Sequence, residues 1–289
     1  MINFRYHLVS LAAVLLSLAA GVALGAGVLD ESSSSATGSG DARVDPAVQA
    51  FDAAFADSAA PAFVANTLTD RRIVIITTPG ARTAEVEDLA ARATAAGGTV
   101  VGEVALTAKL LESNNRQFVE SVAQQSAPDV PGVAEGGDSY DRVGAALARA
   151  IMAPEDGALD ETATTIRSAF DQGGLIDLPD APDQTADLAL VVVGPSPADD
   201  ARGDILADIT AQLTAAGAAA AVVGPSVTSV GGGVLDLVRG SDEIDAFATA
   251  DVTETAAGRV LAVWALAQAA GGTTGSWGTS RSEDGQLPQ

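Results

Sequence analysis

Two kinds of apolar pattern alternate along most of this chain. Short continuous runs of apolar residues predict strands that are buried on both faces, and these runs cover 73–76, 188–193 and 219–223. A further strand is predicted over 99–106. Segments with an apolar residue every three or four positions predict amphipathic helices, notably over 110–125, 140–152, 159–171 and 254–270. A weaker apolar segment over 244–249 predicts a last strand. Because strands and helices alternate, residues 46–270 are expected to form an α/β domain with a parallel, Rossmann-like sheet and flanking helices.

The first helix of this domain carries a narrow apolar stripe. Asp45 and Pro46 predict its start, because an aspartate cap followed by proline is typical of a helix N-terminus. Val48, Phe51 and Phe55 then recur at helical spacing. Two interpretations are open: the stripe faces the core of the domain, or it pairs with a partner helix as in a coiled coil.

An uncharged apolar run precedes the domain. Residues 8–29 would measure ~33 Å as a helix, which suffices to cross a ~30 Å hydrocarbon core. The run is longer than the ~7–15 apolar residues of a cleaved signal peptide, so residues 1–29 are predicted to be a retained transmembrane anchor, although 23–25 resembles a cleavage site. Arg5 precedes the run and Asp30 follows it, so the positive-inside rule predicts a single-pass protein with a cytoplasmic N-terminus and an extracytoplasmic C-terminal domain.

Small residues mark three further features of the chain. Gly21 and Gly25 have the small-xxx-small spacing that lets two membrane helices approach closely as a homodimer, although glycine is also common in membrane helices without this role. Residues 30–45 are rich in serine and glycine and are predicted to form a flexible linker. Residues 271–289 are rich in glycine, serine and threonine and are predicted to form a disordered tail.

The charge balance and the rare residue types exclude several classes of function. The 289 residues include 38 acidic and 15 basic ones, a net charge of −23, so the chain would repel the phosphate backbone of nucleic acids. It contains no cysteine and one histidine, His7, which precedes the apolar run. Catalytic Ser-His-Asp or Cys-His sets and His-ligated metal sites are therefore excluded from the domain. The chain is predicted not to be an enzyme, and no catalytic, cofactor-binding or metal-binding residue is assigned.

The loops after three predicted strands are the best geometric candidates for a binding site. They cover 79–80, 194–197 and 224–226, and ligands of parallel sheets commonly bind beyond the carboxyl ends of the strands. Each loop contains a proline, which removes a backbone N–H group from any phosphate cradle. Ordinary turn and cap chemistry is therefore favoured over ligand binding.

Other local features also have simpler structural interpretations. The glycines at 231–233 are typical of a flexible loop, and acidic pairs such as 199–200, 242–243 and 283–284 are typical of a solvated surface rather than of a cation site. Trp264 lies among apolar residues of the last helix and is predicted to belong to the core. Asp251 and Glu254 have the spacing of a capping box for that helix.

The N-terminal sequence resembles one known family. The pattern FRYHLVSLAAV, directly before a small-residue-rich apolar run, is similar to the start of the MctB-type family of actinobacteria, described as copper transport proteins of the cell envelope. The order of anchor, helix, α/β body and low-complexity tail fits the family over most of the chain. The resemblance implies a role in copper homeostasis, since members are described as outer-membrane channel proteins that keep internal copper low. A related branch is similar to cell-division proteins that work with a neighbouring membrane protein to control peptidoglycan hydrolysis.

The residue chemistry restricts how a copper role would be performed. Copper ions prefer thiolate, thioether or imidazole ligands, and the predicted domain offers one methionine, Met152, and neither cysteine nor histidine. Two hypotheses follow. In the first, the chain acts in copper transport or homeostasis without a soft-ligand copper site of its own. In the second, it is a non-enzymatic envelope scaffold that binds a membrane protein partner to control cell-wall hydrolysis and division.

Overall fold

Among the described residues, seven strands form one sheet at the centre of the fold. The strands are Arg72–Thr77 (β1), Thr99–Leu106 (β2), Ile176–Asp180 (β3), Leu188–Val192 (β4), Ala219–Val223 (β5), Ala248–Ala250 (β6) and Ser276–Trp277 (β7). Their order across the sheet is β3-β2-β1-β4-β5-β6-β7. Every neighbouring pair is parallel except β2 and β3, which are antiparallel. This parallel-dominated sheet confirms the α/β body predicted from the sequence.

The computed structural model describes residues 46–134, 137–153, 157–196, 199–279 and 284–288. The chain divides into two units, Met1–Pro46 and Ala47–Gln289, and the seven-stranded sheet belongs to the second. Across the described ranges, no helix combines the length and the apolar character needed to cross a bilayer. The predicted anchor at 1–29, with Gly21 and Gly25, and the predicted linker at 30–45 lie outside the described residues.

The helices connect and cover the strands. They are Pro46–Val64 (α1), Thr83–Ala95 (α2), Arg116–Ser126 (α3), Pro131–Ala134 (α4), Ser139–Ile151 (α5), Glu161–Gln172 (α6), Asp200–Ala216 (α7), Val234–Arg239 (α8) and Ala256–Ala270 (α9). Short 3-10 turns cover Ser113–Asn115, Ser226–Ser229 and Ile244–Ala246. Most of these positions agree with the sequence pattern, because the pattern reflects which face of each helix is buried.

Two apolar layers sandwich the sheet. In β1, Val74 and Ile76 belong to the layer formed with α3, α5, α6, α7 and α8, whereas Ile73 and Ile75 belong to the layer formed with α1, α2 and α9. Successive side chains of a strand point to opposite faces, so a strand covered on both faces must be apolar at every position. This arrangement explains why the central strands are continuous apolar runs.

The disordered tail predicted for 271–289 is wrong for its first part. Ser276 and Trp277 form β7, which pairs with β6. The Trp277 ring is buried, with 4% of its surface exposed. The backbone N–H of Ser276 also donates to the carboxylate of Asp284 at 2.8 Å. A polar, glycine-rich sequence is therefore ordered here because one buried ring and a side-chain acceptor hold it against the sheet edge.

The start of α9 also differs from the sequence prediction. Thr255 caps the helix by accepting a hydrogen bond from the backbone N–H of Gly258 at 2.9 Å. Asp251 does not act as the cap because it is fully buried in an ion pair with Arg239. The capping-box spacing of Asp251 and Glu254 therefore does not correspond to a cap of this helix.

Candidate functional site

The topological switch point of the sheet lies between β1 and β4. The chain passes from β1 to β2 on one side and later places β4 on the other side of β1. In parallel sheets, the crevice beyond the carboxyl ends of such a strand pair is the usual ligand site. Here that crevice lies between the loop at 78–80 and the loop that begins at Gly194.

Backbone contacts fill this crevice. The N–H of Gly194 donates to the Thr78 hydroxyl at 3.2 Å. A Cβ atom placed on Gly194 would lie 2.5 Å from the Cα atom of Gly80, and closer still to the Gly80 carbonyl carbon and the Ala81 nitrogen. The two loops therefore touch through their main chains, and Gly194 is needed because no side chain fits between them. This contact favours the turn interpretation of both loops, since their main chains lie against each other at Gly80 and Gly194.

Carboxylates tie the neighbouring loops together. The backbone N–H of Ser226, after β5, donates to Glu254 at 3.0 Å, and the Ser226 hydroxyl donates to the other oxygen of the same carboxylate. Buried Glu85 of α2 accepts hydrogen bonds from the Thr253 hydroxyl and from the Arg82 guanidinium, the latter at 2.9 Å. These carboxylates act as structural acceptors between loops.

A buried ion pair fixes the far edge of the sheet. Arg239 of α8 contacts Asp251, which follows β6, at 3.2 Å, and their side chains are 2% and 0% exposed. Arg239 also donates to the backbone carbonyl of Trp277 at 2.7 Å. Burial lowers the pKa of the Arg239 guanidinium, and the neighbouring Asp251 carboxylate partly offsets this effect. The pair is a structural link between α8, β6 and β7.

The glycine run at 231–233 forms the turn before α8. Gly231 and Gly232 have positive φ angles of 61° and 80°, a conformation that favours glycine. The N–H of Gly232 donates to Asp236 at 2.9 Å. The run therefore serves a turn that is closed by a side chain of the following helix.

The described part of the chain contains no group of three or more His, Cys, Asp or Glu side chains arranged to hold a metal ion. Of the acidic pairs noted above, Asp199 caps α7 by accepting from the N–H of Arg202 at 3.0 Å. Met152, the one methionine of the domain, is buried with 3% of its surface exposed. A single buried thioether does not provide the several soft ligands that copper(I) prefers.

Asp208 of α7 has an unusual acidity. Partial burial raises its pKa to about 7, and the carboxylates of Asp138, Asp141, Glu243 and Asp204 add to the increase in that order. Its carboxyl group is therefore partly protonated at neutral pH.

A set of exposed or half-buried large apolar side chains lies on α1 and beside it. This aromatic surface consists of Val48, Phe51, Phe55, Phe63, Trp264 and Leu287. The Phe63 and Trp264 rings are 5.1 Å apart between centroids. A groove of about 220 Å³ runs between α1 and α9 and is lined by Phe55, Phe63, Trp264 and Leu287.

The sequence pattern revealed only part of the aromatic surface. It singled out Val48, Phe51 and Phe55 but left open which way they face, and the structure exposes them. The prediction that Trp264 is a core residue is confirmed only in part: its side chain packs against the apolar layer but is half-buried, and its ring also contacts Phe63. Helical periodicity placed Trp264 among the buried residues of α9, but it could not show that α1 covers that side incompletely.

Comparison with known proteins gives matches along almost the whole chain. A protein-family model described as "Copper transport outer membrane protein, MctB" matches residues 1–288. A protein named "Copper transporter MctB" from Mycobacterium tuberculosis (strain ATCC 25618 / H37Rv) is 27% identical over 303 residues, which cover 96% of this chain and 96% of the relative. Proteins of the same name from Mycobacterium bovis and Mycobacterium leprae are also 27% identical, over 303 and 312 residues, with the same coverage.

Proposed function

We propose that the chain acts in copper transport or copper homeostasis at the cell envelope, because it belongs to the MctB family of copper transport outer membrane proteins. The observation that carries this proposal is the family match over residues 1–288 of a 289-residue chain. The mycobacterial relatives, which cover 96% of the chain, bear the name of copper transporters and support the same role.

In this proposal the domain lies outside the cytoplasm and is held to the membrane by the predicted anchor at 1–29. The description of the family as outer membrane proteins supports an envelope location. The position of Arg5 before the apolar run and of Asp30 after it supports a cytoplasmic N-terminus.

The proposed role does not use a soft-ligand copper site within this chain. The 289 residues include no cysteine, one histidine and two methionines, namely His7, Met1 and Met152. His7 and Met1 precede the predicted anchor and would lie on its cytoplasmic side, which leaves the buried Met152 alone in the domain. The chain would therefore influence copper through a partner or through weak oxygen ligands.

Growth of a deletion strain at raised copper concentrations tests this role. Loss of the gene is expected to lower copper tolerance, and the wild-type chain is expected to restore it. A Met152→Leu chain should restore tolerance equally, because the substitution removes the thioether and keeps an apolar side chain of similar size. A deletion strain with unchanged tolerance to copper would contradict the proposed function.

A non-enzymatic envelope scaffold is the second candidate function. The filled crevice between β1 and β4 favours it, because the usual small-molecule site of a parallel sheet is occupied by the contact between Gly80 and Gly194. The lack of histidine and cysteine in the domain also favours protein binding over catalysis. Crosslinking in growing cells followed by mass spectrometry tests it. Recovery of a regulator of wall hydrolysis would support the scaffold, whereas recovery of copper exporters would favour direct participation in transport.

A further inference from the structure

The aromatic surface exposes more apolar area than the domain requires for its own packing. Phe51, Phe55 and Phe63 are 72%, 65% and 43% exposed. The Phe51 and Phe55 rings stack on each other with centroids 6.4 Å apart, which leaves their outer faces in water. Contiguous exposed apolar residues of this kind mark interaction sites. We propose that α1 of a second copy of this chain covers the aromatic surface.

The spacing of the exposed residues suits a helix as the partner. Val48, Phe51 and Phe55 are separated by three and then four positions, which is the spacing of the core positions of a coiled coil. Along its whole length, α1 buries only Ala56 and Val64 against its own domain. The helix therefore has one small face for its own domain and a second, larger apolar face that a paired helix would cover.

The charges of α1 favour a second copy over other occupants. Its only charged residues are Asp52 and Asp57, and Asp57 accepts a hydrogen bond from Arg92 at 2.8 Å. Because α1 has no cationic side chain, it offers no attraction to anionic lipid headgroups. A nearly uncharged apolar stripe is self-complementary, and a two-fold pair brings the same patch of both copies together.

The position of α1 in the chain would bring two copies together. It begins at Pro46, directly after the predicted linker at 30–45, which follows the predicted anchor. A linker of this length reaches at most about 55 Å when fully extended. Two neighbouring anchors would therefore hold their α1 helices within reach, at an effective concentration on the order of millimolar.

The area available sets the strength of the pairing. At roughly 200 Å² for a fully exposed phenylalanine, the exposed fractions correspond to about 400 Å² of apolar surface per copy. The total of about 800 Å² is below the ~1,200–2,000 Å² of stable complexes. The pairing is thus weak for the domain in solution and depends on the tethering of both copies to one membrane.

Site-specific crosslinking of the full chain in cell membranes tests this proposal. The chain contains no cysteine, so each introduced cysteine is unique. Phe51→Cys and Phe55→Cys place a thiol on the proposed interface. Gln49→Cys places one on an exposed position roughly 160° around the same helix from Phe51 and roughly 120° from Phe55. With a short bismaleimide, we expect the Phe51→Cys and Phe55→Cys chains to form at least about fivefold more covalent dimer than the Gln49→Cys control.

Three results would overturn the proposal. Equal crosslinking at 49 and 51 would indicate random collisions of tethered copies, and no crosslinking at 51 or 55 would place the helices apart. Crosslinking of these positions to a different protein would assign the surface to that protein. As a further check, Phe55→Asp in the Phe51→Cys chain is expected to remove the dimer with an unchanged circular dichroism spectrum, since it opposes two carboxylates across the pair. Persistence of the dimer would contradict pairing through this face.

Discussion

Replacement of Gly194 by alanine tests whether the crevice between β1 and β4 is filled by main chain. The added Cβ would lie 2.5 Å from the Cα atom of Gly80 and closer to two further backbone atoms. Real Cβ contacts are longer, so one loop must move by about an ångström. Because the obstructing atoms belong to the backbone, no rotation of a side chain relieves the clash. The movement would also stretch the hydrogen bond between the Gly194 N–H and the Thr78 hydroxyl, which is 3.2 Å long.

We expect Gly194→Ala to lower the free energy of unfolding by about 2–4 kcal/mol, from overpacking of ~1–3 kcal/mol and a weakened hydrogen bond of ~1 kcal/mol. For a domain of this size, such a loss lowers the melting temperature by roughly 5–15 °C. Urea unfolding of the full chain in detergent, followed by near-ultraviolet circular dichroism, measures it.

Gly240→Ala is the matched control for this substitution. A Cβ at Gly240 would have its nearest neighbour at 3.4 Å, an ordinary contact, and Gly240 has no positive φ. Its free energy of unfolding is expected to stay within ~1 kcal/mol of the wild type. If Gly194→Ala is as stable as Gly240→Ala, the loops are not in contact and the crevice is open.

Three further substitutions have expected outcomes. Asp251→Asn leaves the buried Arg239 guanidinium without its carboxylate and should cost about 3–5 kcal/mol in urea unfolding, and a loss under 1 kcal/mol would contradict the buried pair. Asp208 has a folded-state pKa of about 7, above its value in the unfolded chain. Because it ionises more readily in the unfolded chain, the folded state loses stability as the pH rises from ~4 to about 7. Because solvent screens the half-exposed carboxyl group, Asp208→Asn should stabilise the fold by only ~1–2 kcal/mol at pH 8, and by less at pH 5. An equal effect at both pH values would refute the raised pKa. Met152→Leu should leave the affinity of the purified chain for copper(I) unchanged in a competition assay, and a weaker affinity would identify its thioether as a ligand.

The central strands could be predicted from the sequence because burial on both faces demands apolar residues throughout. This condition holds for β1, β4 and β5, and each was located to within one residue at either end. β2 was also located, although Thr99 is exposed and Glu103 is half-buried. The edge strands β3 and β7 could not be predicted in this way. β3 has the sequence IDLPD with one buried residue, Ile176, so nothing in its pattern distinguishes it from a loop. β7 has two residues and depends on contacts with Arg239 and Asp284, which lie far away in the sequence.

The candidate site could be predicted less well than the fold. The sequence located the loops after the strands, but the contact between Gly80 and Gly194 depends on how two distant segments meet. The helical spacing of Val48, Phe51 and Phe55 could be recognised in the sequence. Spacing alone, however, cannot distinguish an apolar face that packs inside its own domain from one that binds a partner. Only the placement of α1 on the surface separates these two interpretations.

The copper content of cells tests the proposed function most directly. It is measured by mass spectrometry of washed cells after growth at raised external copper, in the wild type, a deletion strain and a strain complemented with the full chain. Participation in copper transport or homeostasis predicts a higher copper content in the deletion strain and a return to the wild-type value on complementation. Equal copper contents in all three strains would contradict this function and leave the envelope scaffold as the better account of the chain.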